Sequence, residues 1–318
     1  IASGLLGSKS SALVTGYHHS HAMLESELCH ALGFEACMLF TSGFCANSSV
    51  LKTLMSEPDS EIFQDKLNHA SLIDGGLAAK ATMSRFHHND IAHLQAKLKK
   101  STATHKLIVS EGVFSMDGDL APIDALANLA NEYNAWLMID DAHGFGVLGD
   151  KGFGSCFVNN TVTRPQLLII TFGKALGSSG AALLCSTAVK DFMLQFNRDY
   201  IYSTSMSPMV AEATLDALNT LFSADDQRAQ LQANIAFFQA SAKQAGLNVM
   251  HSNTAIQPLV IGDADATLKV SQQLKTAGFW VGAIRPPTVP VNTARLRITL
   301  TAAHSEDQIT ALIDELKK

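Results

Sequence analysis

Several things are scarce in this chain of 318 residues, and each shortage removes a class of function. No apolar run approaches the roughly 20 residues that span a bilayer, and no signal peptide opens the sequence as given, so a cytoplasmic protein without a membrane role is expected. Basic residues number 23 against 29 acidic ones, a formal charge of -6, and they form no dense cluster. A nucleic-acid partner, which needs a basic face, is therefore not expected. The five cysteines, Cys29, Cys37, Cys45, Cys156 and Cys185, are odd in number and make no C-x-x-C pair, which points to reduced core thiols. Repeats, heptads and low-complexity tracts are missing too. The chain begins with Ile1 rather than Met and runs straight into a loop-like segment containing Gly4, Gly7, Ser8 and Ser10, so further N-terminal residues are expected to precede it.

What is present is an ordinary globular composition, 47% hydrophobic and 16% charged, long enough for one large or two unequal domains. Two apolar runs stand out. Trp136-Leu137-Met138-Ile139 leads into Asp140-Asp141-Ala142-His143-Gly144, and Leu167-Leu168-Ile169-Ile170 leads into Thr171-Phe172-Gly173-Lys174. Each run has the length of a buried strand, and polar groups at the ends of two such strands make a site rather than a core. An acid, an imidazole three residues on and a lysine on a neighbouring strand end can hold a pyridine ring electronically and bond it covalently.

Elsewhere short strand-like runs alternate with helical patterns: strands at 36–40, 62–65, 82–86 and 107–109, with helices at 43–55, 69–80, 90–100 and 123–133 between them. Such alternation implies βαβ crossovers and a mostly parallel sheet, whose ligands bind at the carboxyl ends of the strands. Those ends carry Thr41 to Phe44, His69, Glu111 to Ser115, Asp140 to His143 and Thr171 to Lys174. Ser42 and Gly43 open a helix, which suits either a phosphate seat or an ordinary serine cap. His69 is placed either over a ring in the cleft or as the cap of its own helix. Tyr200 to Ser207 is hydroxyl-rich and suits a ligand contact or a plain loop equally. Beyond residue 222 the pattern becomes a small α+β domain, giving expected domains of 1–222 and 223–318.

Three tempting motifs fail on context. Ser8-Lys9-Ser10 lacks the glycine that a phosphate loop needs before its lysine. His18, His19 and His21 have no second ligand group at metal-binding spacing and are expected at the surface or in loops; no metal is expected anywhere in the chain. Gly144-Phe145-Gly146-Val147-Leu148-Gly149 matches a dinucleotide fingerprint, but glycines follow where a helix should open and no acid lies near position 169, which disfavours an NAD-dependent oxidoreductase.

Four ordered motifs carry a resemblance that covers essentially the whole chain: Glu111-Gly112-Val113-Phe114-Ser115-Met116-Asp117-Gly118-Asp119, the Asp140 and Lys174 motifs, and Ile284-Arg285-Pro286-Pro287-Thr288-Val289-Pro290. In these the chain resembles the α-oxoamine synthases, pyridoxal-phosphate enzymes of fold type I, with a mostly parallel sheet flanked by helices and a smaller C-terminal α+β domain. The resemblance implies that Lys174 bonds pyridoxal 5'-phosphate and serves as the base, that Asp140 pairs with the ring nitrogen, and that His69 stacks on the ring and contacts substrate. It implies Ser115 and His143 at the phenolic oxygen, and Gly43, Phe44 and Thr171 at the phosphate. Ser203 and Thr204 would reach the phosphate of a neighbouring copy in a homodimer with shared sites. Arg297, with Arg285 and Thr288, would hold the substrate carboxylate, a task suited to the guanidinium fork; alternatively Arg295 and Arg297 form a solvent-exposed pair on an edge strand.

Within that family the implied reaction is an acyl transfer, the decarboxylative condensation of L-alanine with pimeloyl-CoA or a pimeloyl carrier protein at the start of biotin-ring assembly. Glycine with a short acyl-coenzyme A, as in glycine C-acetyltransferase, is the alternative on the same cofactor, and a non-catalytic partner-binding relative is another. Family members carry a further N-terminal arm that helps to close the site. Such an arm is expected to be missing here.

Overall fold

The apolar runs and helical periods of the sequence become strands and helices in the computed structural model, which describes residues 6–158 and 162–318. Gly4, read above as part of a loop, lies outside the described residues. Contacts divide the chain into two compact units, one of residues 1–112 and 121–223 and one of residues 113–120 and 224–318.

The first unit is built on seven strands: β1 (Ala36–Phe40), β2 (Ser60–Asp65), β3 (Thr82–Phe86), β4 (His105–Glu111), β5 (Trp136–Asp140), β6 (Leu167–Thr171) and β7 (Ala181–Cys185). Their order in the sheet is β1-β7-β6-β5-β4-β2-β3. From β3 through β6 every pair is parallel, while β7 runs antiparallel to both β6 and β1. The parallel pairs require crossovers, supplied by helices such as Ala70–Ala78, Ile91–Lys100 and Ile123–Glu132. Val109, Met138, Ile169 and Leu183 are fully buried on one face of four neighbouring strands, and Ile108, Ile139, Leu168 and Leu184 on the other, so apolar side chains fill both faces of the sheet's centre.

One expectation about the first α-helix, His19–Leu32, needs correction. His21 is buried rather than at the surface: its Nε2 lies 2.8 Å from the Met206 carbonyl and its Nδ1 accepts from the His18 amide at 3.0 Å. Both ring nitrogens are satisfied inside the fold, which removes the usual cost of burying an imidazole. Met23, by contrast, is 45% exposed, and the core face is made by Leu24, Leu28 and Leu32.

The second unit holds an antiparallel sheet in the order β8-β10-β9, with β8 at Ile256–Gly262, β9 at Gly282–Ile284 and β10 at Ala294–Thr299. Helices Asp225–Gln244, Ala264–Thr276 and Glu306–Leu316 accompany it. Residues 113–120, placed by sequence in the first domain, fold with this sheet instead. A bridge pairs Val113 with Leu120, and Ser252 Oγ and Thr254 Oγ1 donate to the Gly118 carbonyl at 2.8 and 3.0 Å. No helix among the described residues is long and apolar enough to cross a membrane.

Candidate functional site

A cleft of about 320 Å³ opens at the carboxyl ends of the parallel strands, within the range of about 300–1,000 Å³ typical of small-molecule sites. It lies entirely in the first unit. Gly43, Phe44, His69, Asp140, His143, Thr171 and Lys174 all line it, so seven residues from four separate strand ends are brought together.

Each is positioned by local chemistry. Ser42 caps the helix Gly43–Leu54, its Oγ accepting from the Cys45 amide at 3.1 Å. The cap and the phosphate seat are compatible, because the amides of the first turn have no carbonyl partners within the helix and stand at its positive end. Position 43 favours glycine: a Cβ there would lie 2.6 Å from Thr171 Cγ2, so the threonine would have to move. Thr171 Oγ1 is itself buried with no partner among the described residues. Such an atom, at the end of β6 and packed against a first helical turn, is suited to an acceptor such as a phosphate oxygen.

Asp140 ends β5 and is only 5% exposed. Its Oδ2 accepts from Asn47 Nδ2 at 2.6 Å and its Oδ1 from the Ala142 amide at 3.1 Å. Two donors per carboxylate leave acceptor capacity for a third. Lys174 follows β6 in a loop closed by bonds from the Phe172 amide to the Gly180 carbonyl at 2.9 Å and from the Ser178 amide to the Phe172 carbonyl at 2.8 Å. Gly180 adopts φ 109°, a left-handed conformation in which a Cβ would also collide with Met206. The loop backbone is therefore held at the rim of the cleft that Asp140 also lines. His69 caps the helix Ala70–Ala78, accepting at Nδ1 from the Ser71 amide at 3.2 Å, and its ring still lines the cleft.

Two polar residues of the site were not singled out from sequence, Asn47 and Ser71. Asn47 is 1% exposed and donates to Ser71 Oγ at 2.9 Å as well as to Asp140. The signal was available: an asparagine among Ala46, Val50 and Leu51 on the buried face of a helix needs a polar partner.

Other expected residues are not among those that line the cleft. Ser203 and Thr204 are exposed, ahead of the helix Pro208–Phe222, and do not line the cleft. Ser115, Arg285, Thr288 and Arg297 belong to the second unit. There Arg297 is half-buried; its Nε donates to the Ser115 carbonyl at 2.6 Å and its Nη1 to Thr299 Oγ1 at 3.2 Å, and burial holds its guanidinium below the ordinary pKa. Arg285 and Thr288 are exposed. The picture of Arg295 and Arg297 as an exposed edge pair fails, because β10 is the middle strand and Arg295 is buried in an ion pair with Asp117.

The glycines of the dinucleotide-like stretch have a structural task. No α-helix opens after Gly149; Asp150–Gly152 is a short 3-10 turn. A Cβ at Gly144, or at nearby Gly112 and Gly154, would collide with the Asp141 carboxylate. Asp141 accepts from the Ser155 amide at 2.8 Å and from Ser155 Oγ at 2.6 Å. Its complete burial outweighs those donors and pushes its carboxyl up to about 7. Among the described residues one group with metal-ligand chemistry comes together, His87, Asp90 and His93, with ligand atoms within 4.8 Å of one another. Its contacts are those of a helix start: Asp90 Oδ1 accepts from the His93 amide at 2.8 Å, and His93 Nδ1 accepts from the His87 amide at 3.0 Å.

The cleft's donors and acceptors fit pyridoxal phosphate: a buried carboxylate for a ring nitrogen, an amine for a carbonyl carbon, and free first-turn amides with an unpartnered threonine hydroxyl for a phosphate. The comparisons agree. The sequence profile of the family described as Aminotransferase class I and II matches residues 2–316. The chain is 48% identical over 310 residues to 8-amino-7-oxononanoate synthase of Vibrio atlanticus, covering 98% of this chain and 75% of that one. To the enzyme of the same name from Cronobacter sakazakii it is 49% identical over 311 residues, covering 98% and 80%. Among solved structures, serine palmitoyltransferase of S. paucimobilis with a bound pyridoxal-phosphate adduct superimposes with a TM-score of 0.93 at 27% identity, covering 98% of this chain and 79% of that one.

Proposed function

Since the chain belongs to the aminotransferase class I and II family, we propose that it condenses L-alanine with a pimeloyl thioester to 8-amino-7-oxononanoate, releasing carbon dioxide and the thiol, in biotin biosynthesis. Its fold is that of the type I pyridoxal-phosphate transferases. The observation that carries the reading is the convergence of Lys174 and Asp140 on one cleft, in a chain so similar to enzymes that bear the name of that product.

Pyridoxal phosphate, when bound, supplies an electron sink that makes the α-carbon of an attached amino acid acidic. The residues divide the remaining work. Lys174 Nζ anchors the cofactor, takes the α-proton of alanine and returns a proton to product. The Asp140 carboxylate holds a proton on the ring nitrogen. The amides of Gly43 and Phe44, with Thr171 Oγ1, would bind the phosphate, while His69 would contact the ring and His143 and Ser115 would serve its phenolic oxygen. Arg297 binds the substrate carboxylate, assisted by Arg285 and Thr288 on their proline-rich segment. Ser203 and Thr204, exposed and outside the cleft, serve the phosphate of a second copy in a homodimer. We place the protein in the cytoplasm.

Thiol release tests the reading. With pyridoxal phosphate present, L-alanine and pimeloyl-CoA should give thiol and carbon dioxide in equal amounts, much faster than glycine and acetyl-CoA. Preference for the glycine pair would move the activity to a neighbouring specificity, and no release with either pair, including a pimeloyl carrier protein as donor, would refute it.

A further inference from the structure

Four residues that line the cleft are joined in a single hydrogen-bonded chain. Asn47 Nδ2 donates to Asp140 Oδ2 at 2.6 Å and to Ser71 Oγ at 2.9 Å. Ser71 Oγ in turn lies 2.8 Å from His69 Nδ1, and the Ser71 amide reaches the same nitrogen at 3.2 Å. All four residues stand in the first unit.

The donors along this chain can be assigned without seeing hydrogens. An amide N–H only donates, so His69 Nδ1 accepts. Turning the Asn47 amide over would set its oxygen 2.6 Å from a carboxylate oxygen, two acceptors in contact, so nitrogen faces Asp140. Ser71 Oγ therefore accepts from Asn47, and its own hydrogen points to His69. With Nδ1 an acceptor twice over, the neutral imidazole carries its proton on Nε2.

We infer that Asn47 is a positioning residue acting in two directions. It orients the Asp140 carboxylate, and through Ser71 it fixes His69 in the Nε2–H tautomer, so that His69 offers the cleft a hydrogen-bond donor and not a base. The inference deepens the pyridoxal-phosphate reading and rests on it for the meaning of Asp140. Asn47 Oδ1 is buried with no partner among the described residues, so the residue serves here through its nitrogen alone. A serine or an apolar residue would pack beside Ala46 and Val50 but could not donate twice. The division of labour follows: His69 Nε2–H suits an oxygen of the substrate carboxylate or thioester, and proton removal falls to Lys174.

Nitrogen-15 spectra of histidine-labelled protein, recorded with and without pyridoxal phosphate and assigned with His69→Gln, read the tautomer directly. The wild type should show His69 protonated at Nε2 and bare at Nδ1. Ser71→Ala, which removes one of the two donors, should shift the ring toward a mixture. Asn47→Ala should weaken pyridoxal phosphate about tenfold, the scale of one hydrogen bond to a charged group, and change the visible circular dichroism of the bound cofactor. It should lower kcat with little change in KM for alanine. A wild-type His69 protonated at Nδ1 would overturn the inference, as would Asn47→Ala with unchanged affinity and dichroism. Should Asn47→Ala fail to fold, Ser71→Ala decides: an unmoved tautomer refutes the relay, a mixture supports it. A wild type that binds no pyridoxal phosphate would refute the functional reading, while its cofactor-free spectrum would still decide the tautomer.

Discussion

Asp140 and Asp141 are consecutive, yet their surroundings at the end of β5 differ in almost every respect. Asp140 lines the cleft, held by one side-chain and one backbone donor with acceptor capacity left over. Asp141 is sealed away, clasped by Ser155 and crowded by three glycines, and its carboxyl is pushed up to about 7 by burial. One carboxylate faces the cleft; the other ties the chain after β5 to the turn at Ser155. Residue type alone does not assign a role, and access to the cleft separates the two.

The sharpest way to break this contrast is to neutralise each acid in turn. Asp140→Asn should lower thiol release by about 10²–10⁴-fold, as expected for losing control of a proton in the reaction, while still permitting attachment of the cofactor to Lys174. Asp141→Asn keeps partners for Ser155 and should leave turnover within a few-fold of wild type. Reversed outcomes would exchange the two roles.

A smaller effect concerns the glycines. Gly154→Ala, whose Cβ would strike the Asp141 carboxylate at a φ of 109°, should destabilise the fold by about 1–3 kcal/mol in urea unfolding, the usual cost of overpacking. Gly173→Ala, beside Lys174 but with its nearest neighbour at 3.7 Å, should cost much less. Equal costs would mean that the Asp141 enclosure is not under packing constraint.

The smallest effect is a slope with pH. Asp141 titrates at about 7 in the folded protein against an ordinary value of 3.8, so between these the folded chain holds a proton that the unfolded chain has released. That contribution to stability is complete below about pH 4 and is lost as the pH rises through 7. Asp141→Asn should flatten the slope in this window, and an unchanged slope would place the titration elsewhere.

Much of this was legible in sequence because strand ends are punctuated. The runs before Asp140 and Lys174 gave β5 and β6, and the alternation around them gave the parallel sheet. Less legible was anything that depends on which segment meets which. Val113–Leu120 sits between two elements of the first unit yet bridges to itself and bonds to Ser252 and Thr254, a partnership that no local pattern encodes. Arg295 alternates like an edge residue but lies in the middle strand, since strand order follows from tertiary pairing. His21 looked like a surface histidine because its acceptor, the Met206 carbonyl, is 185 residues away in sequence. Asn47 was the miss with a visible cue, a lone amide on an apolar helix face.

Lys174, as the proposed anchor of pyridoxal phosphate, is the residue on which the proposed chemistry most directly depends. Saturating the folded protein with the cofactor, reducing with borohydride and mapping the modified peptide measures this in one step. A reduced pyridoxyl group on Lys174, absent from Lys174→Ala, is the predicted result. An unmodified Lys174, or an adduct on another lysine in folded and saturated protein, would contradict it.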